Sequence, residues 1–159
     1  MLRAVTRAVT RTVHVRSDLA APVDAVWAEV STMRGVNREL APWVRMSTPG
    51  GRAVSLEALP RGELAFHSWL LLGGVLPFDR HALVLARVDP GRGFDERSRS
   101  WLQRRWDHRR TLSPIEGGCR VEDEVVFEPR LLPGMTRRIV GRLFAGRHRA
   151  LRRRFGTLS

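Results

Sequence analysis

The residues best suited to chemistry lie in Trp106–Pro129, WDHRRTLSPIEGGCRVEDEVVFEP. Two strand-like runs flank a turn. Each puts an ionisable side chain where a packed sheet would prefer a hydrocarbon, His108 in the first and Asp123 in the second. Residues of one parity share a face of a strand. Trp106, His108, Arg110 and Leu112 form one set; Cys119, Val121, Asp123, Val125 and Phe127 form another. The second set is the inner one, because its alternates are Arg120, Glu122, Glu124 and Glu128. A turn near Ile115–Glu116 sets His108 opposite or diagonal to Asp123, within side-chain reach.

A carboxylate that orients and charges an imidazole makes a general base. Arg110, on the His108 face, would then stabilise an enolate or anchor an acidic or carbonyl-bearing ligand. The competing reading is structural: two inward polar groups satisfy each other, since leaving either unpaired costs roughly 1–3 kcal/mol. No nucleophile accompanies the pair. Cys119 sits near the turn, and no serine has a nameable partner. His67, His81 and His108 lack ligand-type spacing, so neither a metal nor a cofactor is expected. Trp27, Trp69, Trp101 and Trp106 read as core, or as flat walls for an apolar ligand.

These residues need a scaffold, and the chain spells one. TVHVRSDL alternates, with Val13 and Val15 on one side, and predicts a half-buried strand. APVDAVWAEVSTM follows, with Val23, Val26, Trp27 and Val30 on one helical stripe. RGVNRELAPW predicts a second short helix ending near Pro42. Strands are expected over 43–48, 53–58, 63–72, 80–88, 93–101, 103–113 and 119–128, separated by turn-like TPGG, LPRG, GGVLP, DPGRG and SPIEGG. Short gaps imply an antiparallel meander. A long helix over 133–155 closes the chain. Met135, Ile139 and Leu143 form one ridge, widened by Val140, Phe144, Leu151 and Phe155, with arginines around much of the rest.

The chain has 159 residues, enough for one domain, with an arm over 1–11 and the domain over 12–159. Hydrophobic residues make up 43%, against wholesale disorder. The net charge is +12, and all 28 basic residues are arginine. That bias looks like base composition, although so basic a surface attracts polyanions at low salt. The lone Cys119 fits a reducing cytosol. The start lacks the apolar core of a secretory signal, and WLLLGGVLPF is about half of a membrane span.

The motifs F-x-[DE], W-x-H, G-[GT], D-x-V-x-[YF], P and L-F-x-x-R-H-x-x-L occur here as Phe94 and Glu96, Trp106 and His108, Gly118, Asp123 with Val125 and Phe127, Pro129, and Leu143, Phe144, Arg147, His148 and Leu151. On these residues the chain resembles the START-like, pollen-allergen-like superfamily, also called SRPBCC or polyketide cyclase/dehydrase-like. Phe127 departs from relatives that often carry tyrosine there.

The resemblance implies an α+β helix-grip fold: a curved antiparallel sheet of six or seven strands around a long C-terminal helix. It also implies a cavity between them for lipids, sterols or polyketides. The first functional expectation is a binder of a small hydrophobic or amphipathic ligand, lined by Trp69, Trp106, His108, Arg110, Asp123, Val125 and Phe127. The alternative is a polyketide aromatase/cyclase using His108 and Asp123. A third reading has the arginine-rich helix touching nucleic acid or an anionic membrane, without sequence-specific nucleic-acid recognition.

Overall fold

The computed structural model describes residues 8–159; most of the expected arm over 1–11 lies outside them. Ten elements follow in order: β1 (Arg11–Leu19), α1 (Val23–Val30), α2 (Met33–Leu40), β2 (Val44–Met46), β3 (Leu64–Leu72), β4 (Leu76–Asp89), β5 (Gly93–Ser100), β6 (Gln103–Ile115), β7 (Gly118–Pro129) and α3 (Pro133–Phe155). The strands form one seven-stranded antiparallel sheet, ordered β1-β7-β6-β5-β4-β3-β2, which curls around α3. The fold is the expected α+β helix grip.

Local chemistry explains the boundaries. Thr32 caps α2 by accepting a hydrogen bond from the Gly35 amide at 3.0 Å. The β3–β4 hairpin turns through Gly73 and Gly74, both with positive φ. β4 starts earlier than expected, so part of GGVLP belongs to the strand.

The strand expected over 53–58 does not form. Met33 donates its amide to Val54 O, and Leu56 donates to Ser31 O. The α1–α2 junction thus takes the backbone groups that a ladder would need, and Leu56–Ala58 becomes a single 3₁₀ turn.

The α3 ridge is also corrected. Val140, Phe144, Arg147, His148 and Leu151 are buried, whereas Met135 and Ile139 are exposed and Leu143 is half-buried. Helix α3 packs chiefly on β1, β7 and α2, and its first two turns overhang the sheet.

The interior holds two apolar clusters. One gathers Leu19, Leu112, Val121 and Leu151 with α1 and α2. The other joins Val13, Val125, Phe127, Val140 and Phe144, with Trp106 against it. Between them, each contributing element turns polar: Ser17 on β1, Asp123 on β7, His108 and Arg110 on β6, and Arg147 and His148 on α3. A belt of ionisable groups therefore divides the core in two.

Candidate functional site

The β6–β7 register pairs Arg110 with Asp123 and His108 with Val125, so His108 lies diagonal to Asp123. His108 Nε2 reaches Asp123 Oδ1 at 2.8 Å. Arg110 donates Nε to Oδ1 at 2.8 Å and Nη2 to Oδ2 at 2.6 Å. His148 Nε2 reaches Oδ2 at 2.8 Å. One carboxylate thus receives four hydrogen bonds. An ionised carboxylate only accepts, so both imidazoles must donate from Nε2.

The belt extends in three directions. Arg110 forks onto Glu39 of α2, at 2.7 and 2.9 Å, and Arg147 Nε donates to the same carboxylate at 2.8 Å. Ser17 Oγ lies 2.7 Å from His148 Nδ1 and accepts from Arg152 at 2.8 Å. On the far side, His108 Nδ1 faces Glu96 Oε2 at 3.7 Å, while His81 Nε2 sits 2.5 Å from Glu96 Oε1.

The electrostatics follow from this geometry. Burial alone would raise the Asp123 carboxyl, but Arg110 and His108 overcome it and hold the group well below the usual carboxylate range. Burial opposes ionisation of Glu39 too, and Arg110 and Arg147 outweigh it. Glu96 is likewise lowered, despite burial, by His81 and His108. Burial penalises the Arg110 cation, but Asp123 and Glu39 raise its pKa further. Cys119 is pushed up by burial, and its thiol donates to Arg120 O.

The His108 ring is enclosed on several sides. One ring nitrogen of His108 is committed to Asp123, and the other faces a second carboxylate. The ring itself is wedged edge-on between Phe94 and Phe144, with centroids 5.2 and 5.1 Å away.

Of the residues singled out from sequence, the structure brings Trp106, His108, Arg110, Asp123, Val125 and Phe127 together on the inner face. Arg110, Asp123, Val125 and Phe127 have 0% exposure, so no water-sized space touches them. Trp106 is half-buried and His108 keeps 3%. Trp69 stands apart: it is exposed on the outer face, edge-on to Trp101 at 5.1 Å. His67 shares that outer face, which separates it from His81 and His108.

Sequence reasoning missed Glu39 and Ser17 and gave Glu96, Arg147 and His148 no site role. Glu39 carried a readable signal. It follows Val36 by three positions and precedes Leu40, so it lies on the apolar stripe of α2.

A family model described as "Domain of unknown function (DUF8410)" matches residues 17–155. The chain belongs to the DUF8410 family. Every belt residue of this DUF8410 chain falls inside that match. No curated protein sequence matches it significantly. Among solved structures, protein CV1439 from Chromobacterium violaceum is 13% identical with a TM-score of 0.70, covering 92% of this chain and 99% of its own. Ara h 8.0201 is 14% identical with a TM-score of 0.60, covering 90% and 95%. A START superfamily protein from Mycobacterium smegmatis is 11% identical with a TM-score of 0.58, covering 91% and 96%. The DUF8410 chain thus has a START-like fold, as its motifs implied.

Proposed function

We propose that this DUF8410 protein binds a small amphipathic molecule between the sheet and α3, near the overhanging start of the helix. The supporting observation is the mixed character of the inner wall there. Trp106 is half-buried, and beside it His81, Ser98, Ser100 and Gln103 face inward from β4, β5 and β6 with 6–8% exposure. The side-chain amide oxygen of Gln103, Oε1, has no hydrogen-bond partner among the described residues. A wall of aromatic surface with a few convergent polar groups suits a ligand with an apolar body and a polar end. Trp106 and His108 would touch the ligand first. Arg110, Asp123, Val125 and Phe127 form the closed floor behind them.

Binding is favoured over cyclase chemistry because one ring nitrogen of His108 is bound to Asp123, the other faces Glu96 at 3.7 Å, and the ring is enclosed by Phe94 and Phe144. The test is native mass spectrometry of the purified protein with solvent extraction, followed by titration with a fluorescent amphiphile, anilinonaphthalene sulfonate. The reading expects a co-purified small molecule or saturable probe binding that weakens about tenfold in Trp106→Leu. Absence of both, in folded protein, overturns it.

A further inference from the structure

Fourteen large apolar residues are exposed among the described residues, and all but Leu64 gather at one end of the sheet. The register shows why. Leu72 and Leu76 face each other at the tip of the β3–β4 hairpin, with Val75 between them. Gly73 in that tip donates to Trp43 O. Trp101 donates its amide to Arg80 O, and Arg130 donates to Leu102 O. Leu131 and Leu132 follow at once, and Met135 and Ile139 continue along the overhanging turns of α3. Exposure runs from 82% at Val75 to 70% at Leu131 and 57% at Ile139. Scattered apolar residues on a surface need no cause, but a collar of them at one end of a molecule does.

The collar is ringed with arginine. On the outer face beside it, Arg80, Arg99 and Arg130 surround a groove of about 310 Å³, together with His67 and Trp101. Arg80 lies 5.6 Å from the Trp69 ring centroid, and its buried Nε has no hydrogen-bond partner. Arg137 and Arg138 flank Met135 and Ile139 on α3. Among the described residues none of these five arginines takes part in an ion pair, whereas Arg104, Arg105, Arg109 and Arg120 all do. The groove itself contains no carboxylate.

We propose that this end of the protein docks on an anionic phospholipid surface, with the collar entering the headgroup layer and lipid phosphates occupying the Arg80–Arg99–Arg130 groove. Tryptophan and leucine at the tips suit the membrane interface, and nearby arginines attract anionic headgroups. No described helix is long and apolar enough to cross a membrane, so the contact is with a surface. Charge selects this occupant. A second copy of the chain would bring a like-charged ring against the first, and a nucleic acid would have no use for the leucine tips. The inference does not rest on the proposed interior ligand.

The test is co-sedimentation of the full chain with phosphatidylcholine vesicles, with and without roughly 30% phosphatidylglycerol. The mixed vesicles should bind at least about tenfold better. Leu132→Glu with Ile139→Glu should remove about tenfold of that binding. Arg80→Gln with Arg130→Gln should erase the preference for phosphatidylglycerol. Arg153→Gln, at the far end of α3, should bind like the parent. All these side chains are at least partly exposed, and unchanged thermal unfolding certifies the variants. Three results would overturn the proposal: no preference for anionic vesicles, equal binding by the Leu132/Ile139 variant, or concentration-dependent self-association abolished by that same variant. Binding of inorganic phosphate in the groove with no vesicle binding would also overturn it.

Discussion

Arg110 meets Asp123 across the β6–β7 ladder through contacts of 2.8 and 2.6 Å, and neither side chain has any exposed surface. The same guanidinium forks onto Glu39, so two carboxylates share one fully enclosed cation. Removing one member leaves the others charged and without solvent.

Asp123→Ala is therefore expected to destabilise the protein by about 3–5 kcal/mol. Arg110→Met should cost a similar amount, and the double variant clearly less than the sum, with a coupling of at least about 1 kcal/mol. Urea unfolding of the four proteins measures this. Additive costs would show that the two side chains act independently.

The belt also sets the response to acid. Asp123, Glu39 and Glu96 all have pKa values below their ordinary 3.8, 4.5 and 4.5. Carboxyls with depressed folded-state pKa values contribute stability that is complete above the unfolded values and fades as pH falls through the folded ones. Stability should hold level down to about pH 5 and drop steeply below roughly pH 4. Glu96→Gln should give a shallower acid slope. Denaturant titrations across pH decide it, and a loss centred near neutrality would contradict this account.

Helix α3 makes a graded prediction. Phe144 keeps 1% exposure and packs on His108 and Trp106. Phe144→Ala should cost about 3–5 kcal/mol. Leu143 is half-buried, so Leu143→Ala should cost only about 1–2 kcal/mol. Ile139→Ala and Arg153→Ala should each change stability by less than about 0.5 kcal/mol. A large loss in Ile139→Ala would mean that the overhanging turns are covered in solution.

Glycines provide a paired test. A Cβ at Gly35 would sit 1.9 Å from Glu29 O, so Gly35→Ala must push α2 away from α1 and carry Glu39 off its arginines. A loss of about 1–3 kcal/mol is expected. Gly141, inside α3, has nothing within 4 Å of the same position, so Gly141→Ala should stabilise by about 0.5–1 kcal/mol. Thermal melts compare the two.

The architecture was legible because strand parity and helix period are local. The alternation around Asp123 identified the inner face of β7, and the turn near Ile115 placed His108 diagonally to it. Long-range partners were not legible. Glu39 and Arg110 stand 71 positions apart, and Ser17 and His148 stand 131 apart, so no spacing rule joins them. The same blindness applies to what covers a surface. Met135 and Ile139 have core spacing, yet α3 runs past the sheet before it reaches anything to pack on. Val54 and Leu56 have strand spacing, yet the α1–α2 junction claims their backbone.

The belt also bears on how the molecule comes together. Asp123 draws partners from β6 and α3, while Glu39 on α2 joins the first of these to the second. A β6–β7 hairpin formed ahead of the helix would leave Asp123 without the His148 hydrogen bond and Arg110 and Glu39 without Arg147 beside them, and a helix seated on a slipped hairpin would meet Arg109 or Glu124 instead. Neither half-built arrangement balances its charge away from water. Register choice and helix seating thus become a single event, and a chain that ends before Arg147 should remain loosely collapsed rather than hold the sheet alone.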